Sequence, residues 1–418
     1  MTARATGQAW ALDVAIAQGG FDALHPRARG IMEEFGVDHT DFDKVFSQVR
    51  SGAMMPKAWS DVATQTEHRA AHHQTEGFQR TAEGLYARAA LLWAHANYTI
   101  RENSDPRKAA FRQRVNHCVD QAGVRRIRLP FGDGHIHGLL HLPATPVAHA
   151  PAVILGPGMD MIKEDFIAIA RKHYTSRGIV ALSVDGPGQG ETRETGVVLG
   201  LSTVERALSR FVDFLAGLDE VDPTRIGMFG ISMSGYWGHR LAAADHRLAA
   251  LASFEGVTGD FSTIFERAQP SFKANFMAMA GYDDEPAFDR DLTAALPLGD
   301  LVRDIECPVL VGIGEFDELS RLDQVIASYE KIRAPKEIRV YENEFHPLGG
   351  VAGEAIGYAA DWLSRALSGE LAEPGRDARY YMRANGQVDA GTAHPTWWLA
   401  DARDGSPLRN RPESVATS

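Results

Sequence analysis

Cysteine is almost absent from this 418-residue chain, where Cys118 and Cys307 are the only two. Two cysteines cannot build a disulfide framework, and none fall at C-x-x-C spacing for a metal knuckle. No run approaches the ~18 consecutive apolar residues of a membrane span, so no membrane association is expected. The first twenty residues hold a short apolar stretch without a signal-peptide core or cleavage site, so a cytoplasmic location is expected. Basic residues are outnumbered, 43 Lys and Arg against 55 Asp and Glu, for a net charge of −12 with histidine neutral. Without a clustered basic patch, a nucleic-acid partner is not expected. Neither a G-K-[ST] phosphate loop, a G-x-G-x-x-G turn before a helix nor an H-E-x-x-H helix occurs. No cofactor is expected.

What is present is ordinary globular composition, 44% hydrophobic and 23% charged, ample for a buried core. Length alone suggests about 2.8 domains, but α/β domains often run past 250 residues as one unit. The early chain repeats apolar residues at helical spacing, as in Phe42, Val45, Phe46 and Val49, and in Leu85, Ala89, Leu92 and Trp93. Residues 1–122 therefore read as a helical module. From Arg125 the period changes. Strand-like runs at 125–129 and 135–142 flank the turn Phe131-Gly132-Asp133-Gly134, and others follow at 152–155, 179–184, 226–231, 248–254, 309–313 and 338–341. Helical stretches such as 204–218 and 322–332 lie between them, which implies a parallel sheet covered on both faces. Core is thus expected over 123–255 and 304–370. The interval 256–303 is too long for a simple crossover and carries Phe261, Phe265, Phe272, Phe276, Met277 and Met279, so it reads as a helical cap. Residues 371–418 form a tail without an assigned role, in which Trp397, Trp398 and Leu399 are candidate anchors.

The strongest chemical signal is Gly230-Ile231-Ser232-Met233-Ser234-Gly235, between a strand and a helix rich in small residues. A serine on such a turn needs small neighbours two positions away, because larger ones would clash with the strained backbone. Here the far position is Ser234, not glycine, and is still small. Downstream, the strand at 309–313 runs into Gly314-Glu315-Phe316-Asp317, and that at 338–341 into Glu342-Asn343-Glu344-Phe345-His346. Serine, acid, histidine is the order expected for a triad on this kind of sheet. His346 would be the general base, and Asp317 would orient it. Glu315 and Glu318 are rival acids in the same loop, and a helix N-cap is the rival role for Asp317. An oxyanion hole is expected from the Met233 amide and one from Gly156-Pro157-Gly158-Met159-Asp160, with Gly158 or Met159 as donor.

Other motifs read as structural. Gly186-Pro187-Gly188-Gln189-Gly190 follows a strand as a tight loop beside the site. His68, His72 and His73, and likewise His135, His137 and His141, lack the further ligands of a known metal pattern and read as solvated faces. No metal is expected.

The runs Gly158-Met159-Asp160-Met161-Ile162-Lys163-Glu164-Asp165 and Asp185-Gly186-Pro187-Gly188-Gln189-Gly190-Glu191, with the Ser232 turn, resemble one branch of the α/β-hydrolases. That branch holds 2,6-dihydroxypseudooxynicotine hydrolase, fungal polyketide-shortening hydrolases of the yellowish-green type and FrsA-like esterases. The resemblance covers roughly residues 10–370 and departs from the family at Ser234, at Met159-Asp160-Met161 and in the tail. It implies an α/β-hydrolase core whose N-terminal helices and cap enclose a pocket, and cleavage of a carbon–carbon bond beside a ketone on an aromatic or polyketide compound. It also implies a substrate-binding cap glutamate, for which Glu266 is the nearest match, with Phe265, Phe276 and Asp160 as further substrate contacts.

The expected function is a serine hydrolase acting on a small or medium carbonyl compound, and a homodimer is the oligomer to test. Ester, lactone or thioester hydrolysis is the alternative. A peptidase and a non-catalytic ligand-binding fold are rivals that peptide turnover and active-serine labelling would separate.

Overall fold

A computed structural model describes residues 13–14, 16–17, 27–200, 202–268, 270–395 and 397. The apolar runs form strands β1 (Arg125–Phe131), β2 (Gly134–His141), β3 (Ala150–Gly156), β4 (Val180–Asp185), β5 (Val221–Ile231), β6 (Leu248–Phe254), β7 (Val309–Gly314) and β8 (Lys336–Tyr341). Two more follow, β9 (Asp377–Met382) and β10 (Val388–Ala390). All ten join one sheet in the order β1-β2-β4-β3-β5-β6-β7-β8-β9-β10. β2 runs antiparallel to β1 and β4, while β4, β3, β5, β6, β7, β8 and β9 are mutually parallel. This is the α/β-hydrolase arrangement.

Successive side chains of a strand point to opposite faces, and the central strands are buried on both, as parallel sheets require. Val153, Leu155, Phe229, Ile231, Ala250 and Ala252 join one core. Ala152, Ile154, Met228, Leu251, Val309 and Val311 join the other. The first core is closed by the N-terminal helices α1 (Ala28–Phe35), α2 (His39–Gln48), α3 (Met55–Thr75), α4 (Gln79–Tyr98) and α5 (Pro106–Gln121). The second is closed by α6 (Thr203–Ala216), α7 (Met233–Ala244), the segment between β6 and β7 with its helix α8 (Pro270–Ala280), and α9 (Leu322–Lys331). The last helix, α10 (Ala352–Leu367), packs on the first side beside α1.

The N-terminal helices therefore do not form a separate body, because their apolar faces are buried in the same core as the sheet. The tail expectation needs correction over 377–390. β9 adds to β8 in parallel, from Lys336 opposite Asp377 to Tyr341 opposite Met382, and β10 turns back against it. Near the sheet edge only Tyr381 of β9 is fully buried, so the strand keeps a polar composition that hides it in the sequence. The Trp397 indole donates to Glu315 at 2.8 Å, whereas Trp398 and Leu399 lie outside the described residues.

Candidate active site

β5 ends at Ile231, and α7 begins at Met233. Between them Ser232 takes φ 54° and ψ −115°, a conformation that a non-glycine residue holds only when its surroundings enforce it. A Cβ at Gly230 would lie 2.2 Å from the Ser234 carbonyl oxygen, so only glycine fits there. Ser234, in the other small position, is accommodated because Gly156 lies opposite, where a Cβ would come within 2.6 Å of the Ser234 Cβ. Its hydroxyl donates to the Pro157 carbonyl at 2.5 Å and ties the turn to the loop after β3.

The loops after β7 and β8 bring in the other two groups. Asp317 Oδ2 lies 3.0 Å from His346 Nδ1, and His346 Nε2 lies 2.9 Å from Ser232 Oγ. Asp317 is itself fixed, since its Oδ1 accepts the Leu319 and Ser320 amides at 2.9 and 2.7 Å. The rival acids have other partners. Glu318 accepts the His346 backbone N–H at 3.1 Å, and Glu315 accepts from Asn343 and Trp397. Burial alone would lower the imidazole pKa, but Asp317, Glu255 and Glu318 outweigh it and push His346 up to about 10. An arrangement of this kind can take a proton from the hydroxyl and stabilise the resulting imidazolium.

Ser232 faces the loop after β3, where a Cβ on Gly158 would lie 3.3 Å from its own Cβ. The Met233 amide is the first of α7 and has no acceptor within the helix. The Gly158 amide points to Met161 Sδ at 3.1 Å, a weak acceptor. Met159, the other expected donor of this loop, also lines the cavity. The motif strings around Lys163 and Asp185 serve this loop from behind. Gln189 donates to the Gly158 carbonyl at 2.6 Å, and its own oxygen accepts the Gly186 amide at 3.0 Å. Buried Lys163 lies 2.8 Å from Asp185, 2.9 Å from Glu164 and 3.1 Å from Glu191. Arg112 of α5 joins Glu164 and Glu194, linking the N-terminal helices to the same network.

Above Ser232 lies a cavity of about 390 Å³ that also reaches His346, the N-terminal helices and the cap. Its walls are mostly apolar and include Trp59, Phe261, Phe272 and Phe276. The expected contacts Asp160 and Phe276 line it, as do Gly158, Met159 and Met233. Asp160 is accessible where it lines this cavity and is otherwise surrounded by protein atoms. Burial raises its pKa, against hydrogen bonds to Tyr98 at 3.0 Å and Asn275 at 2.5 Å. Phe265 and Glu266 do not line the cavity and are corrections. Phe265 is buried behind it, against Phe261, Phe276 and Phe288, and Glu266 is exposed at the outer end of the turn Thr263–Arg267.

One expectation about the histidine sets fails. His68 and His72 are exposed, whereas His137 and His141 are buried beside Glu191 and Ser183 rather than solvated. Three site residues carried no sequence pattern. Tyr98 and Asn275 come from helices distant in the chain, and Glu255 directly follows β6, where its position at a strand end was the available signal.

A family model described as "Esterase FrsA-like" matches residues 25–320. A 2,6-dihydropseudooxynicotine hydrolase of Paenarthrobacter nicotinovorans is 28% identical over 276 residues, covering 64% of this chain and 73% of that protein. A 20-hydroxy-prefusarin hydrolase of Gibberella moniliformis is 28% identical over 234 residues, or 52% of this chain and 55% of that protein. A crystal structure of 2,6-dihydroxy-pseudo-oxynicotine hydrolase superposes with a TM-score of 0.73 at 24% identity, covering 84% of this chain and 99% of that one. That likeness is one of fold. Among the described residues no helix is long and apolar enough to cross a membrane.

Proposed function

The chain belongs to the FrsA-like esterase family of α/β-hydrolases, and from that premise we propose that it is a serine hydrolase cleaving the bond beside a carbonyl in a small, largely apolar compound. The observation that carries this reading is the hydrogen-bonded line from Asp317 through His346 to Ser232 at the cavity floor. His346 Nε2 takes the hydroxyl proton as Ser232 Oγ attacks the carbonyl carbon. The Met233 and Met159 amides hold the oxyanion. When the bond to the leaving group breaks, His346 returns the proton to the departing carbon or oxygen, leaving an acyl-serine. Water, deprotonated by the same imidazole, then frees the acid.

A departing carbon must carry negative charge as an enolate or a stabilised aryl carbon. The relatives named for hydrolysis of pseudooxynicotine- and prefusarin-type compounds support carbon–carbon cleavage, and the family description supports ester cleavage. Asp160, with Tyr98 and Asn275, offers an acceptor in a mostly apolar cavity, suited to a hydroxyl or amine of the substrate.

Incubation with aryl ketones, β-diketones, aryl esters and lactones, with mass spectrometry of the products, separates the two cleavages. Ser232→Ala should lower kcat by at least about 10⁴-fold with the melting temperature unchanged. A folded wild-type protein that a fluorophosphonate fails to label at Ser232 would overturn the hydrolase reading.

A further inference from the structure

Glu255 follows the last residue of β6, and its placement is costly. It holds φ 57°, a conformation that favours glycine, with its amide on the Gly312 carbonyl at 2.8 Å and its carbonyl accepting from Ser320 Oγ at 2.9 Å. Glycine would satisfy those backbone contacts without strain. The side chain is 1% exposed, and its Oε1 has no hydrogen-bond partner among the described residues. A carboxyl oxygen of Glu255, one of Asp317 and an imidazole nitrogen of His346 all lie within 4.8 Å of one another.

We propose that Glu255 is a second carboxyl partner of His346, a positioning residue able to take over from Asp317 the task of balancing the imidazolium. The proposal rests on the serine-hydrolase reading. Two carboxyls this close repel each other when both are ionised, so one of them keeps its proton more readily. Asp317 has two backbone amides and the imidazole to hold its charge, whereas Glu255 has no such donors at Oε1. Around Glu255 stand the acids Asp317, Glu318 and Glu344, the last paired with Arg27, and the one imidazole of His346. Burial and the three acids push its pKa well up against the pull of His346, which favours its protonated form. Removal of the Asp317 charge lifts the like-charge penalty from Glu255, which then ionises in its place.

The test is the rate of Ser232 labelling by a fluorophosphonate in wild type, Glu255→Gln, Asp317→Ala and the double variant, each checked by melting temperature. Glu255→Gln copies the neutral acid, and its rate is the reference against which the double variant is read. Asp317→Ala should lose about 10–100-fold instead of the ~10⁴-fold that loss of a triad acid can cost. The double variant should fall at least about tenfold below Asp317→Ala, so that the same Glu255→Gln change costs far more in that background than in wild type. The gap between Asp317→Ala and the double variant should widen as pH rises from about 6 to 8, because only ionised Glu255 substitutes. A merely structural Glu255 would leave that gap flat. If Asp317→Ala does not fold, Asp317→Asn, which keeps an acceptor for Leu319 and Ser320, takes its place in the comparison. Multiplicative effects, a pH-independent gap, or Asp317 variants already as slow as their doubles overturn the proposal. Labelling of wild type that is absent altogether overturns the serine-hydrolase reading with it, whereas normal labelling with multiplicative variants sinks the Glu255 role alone.

Discussion

Replacing Lys163 with methionine keeps the length of a fully buried side chain and removes its charge. Lys163 is 1% exposed, and its Nζ lies within 2.8–3.1 Å of Asp185, Glu164 and Glu191. Removing one partner from a buried ion pair typically costs about 3–5 kcal/mol, because the remaining charge is left without compensation. Glu191 supplies a second measure. Burial pushes its pKa up, but Lys163, Arg112 and His137 more than offset this and hold it at about 2, against 4.5 when free. That difference corresponds to about 3 kcal/mol at neutral pH, of which Lys163 supplies the largest favourable part. The expected loss for Lys163→Met is therefore about 3 kcal/mol or more, a large share of the ~5–15 kcal/mol that holds a folded protein together. Urea unfolding should show a lower midpoint with an unchanged slope. The native contribution of Glu191 is present above pH 4.5 and is lost as pH falls toward 2. In the variant the buried carboxylates take up protons more readily, so the deficit is full at neutral pH and shrinks below about pH 4.5. A deficit under about 1 kcal/mol at neutral pH, or one equal at about pH 4 and pH 7, would refute the reasoning.

Three further outcomes follow from the site. His346 must be neutral to accept a proton, and its surrounding acids raise its pKa, so activity should climb with pH and the acid limb of kcat/KM should sit above 6.5; an acid limb at or below 6.5 contradicts this. Asp160→Asn should raise KM about 10–100-fold for a substrate that donates a hydrogen bond there, with a smaller change in kcat; steady-state kinetics with an unchanged KM would remove Asp160 from recognition. Glu266→Ala should leave kcat/KM within about twofold, since its exposed side chain faces away from the cavity; a loss of an order of magnitude would restore it to the site.

Much of the core was legible because its signals are local. The strands at 248–254 and 309–313 are continuous apolar runs, as burial on both faces demands, and both appear in the sheet at those places. β9 was not legible, because a strand near the edge keeps Asp377 and Arg379 in contact with polar neighbours. Ser232 was legible for a different reason: Gly230 and Ser234 mark a turn that tolerates only small residues, and that requirement is written within six positions.

Sequence by itself therefore determined the alternation of strand and helix, the elbow, and a serine, acid and histidine in the order of a triad, since each depends on near neighbours along the chain. Tertiary structure decided which acid meets His346, because Glu315, Asp317 and Glu318 share one loop and differ in the direction each side chain takes. It also turned Glu266 outward, brought Tyr98, Asp160 and Asn275 together from three separate segments, and set Glu255 beside Asp317. Those contacts arise where strand ends converge and helices cross, and spacing along the chain does not encode them.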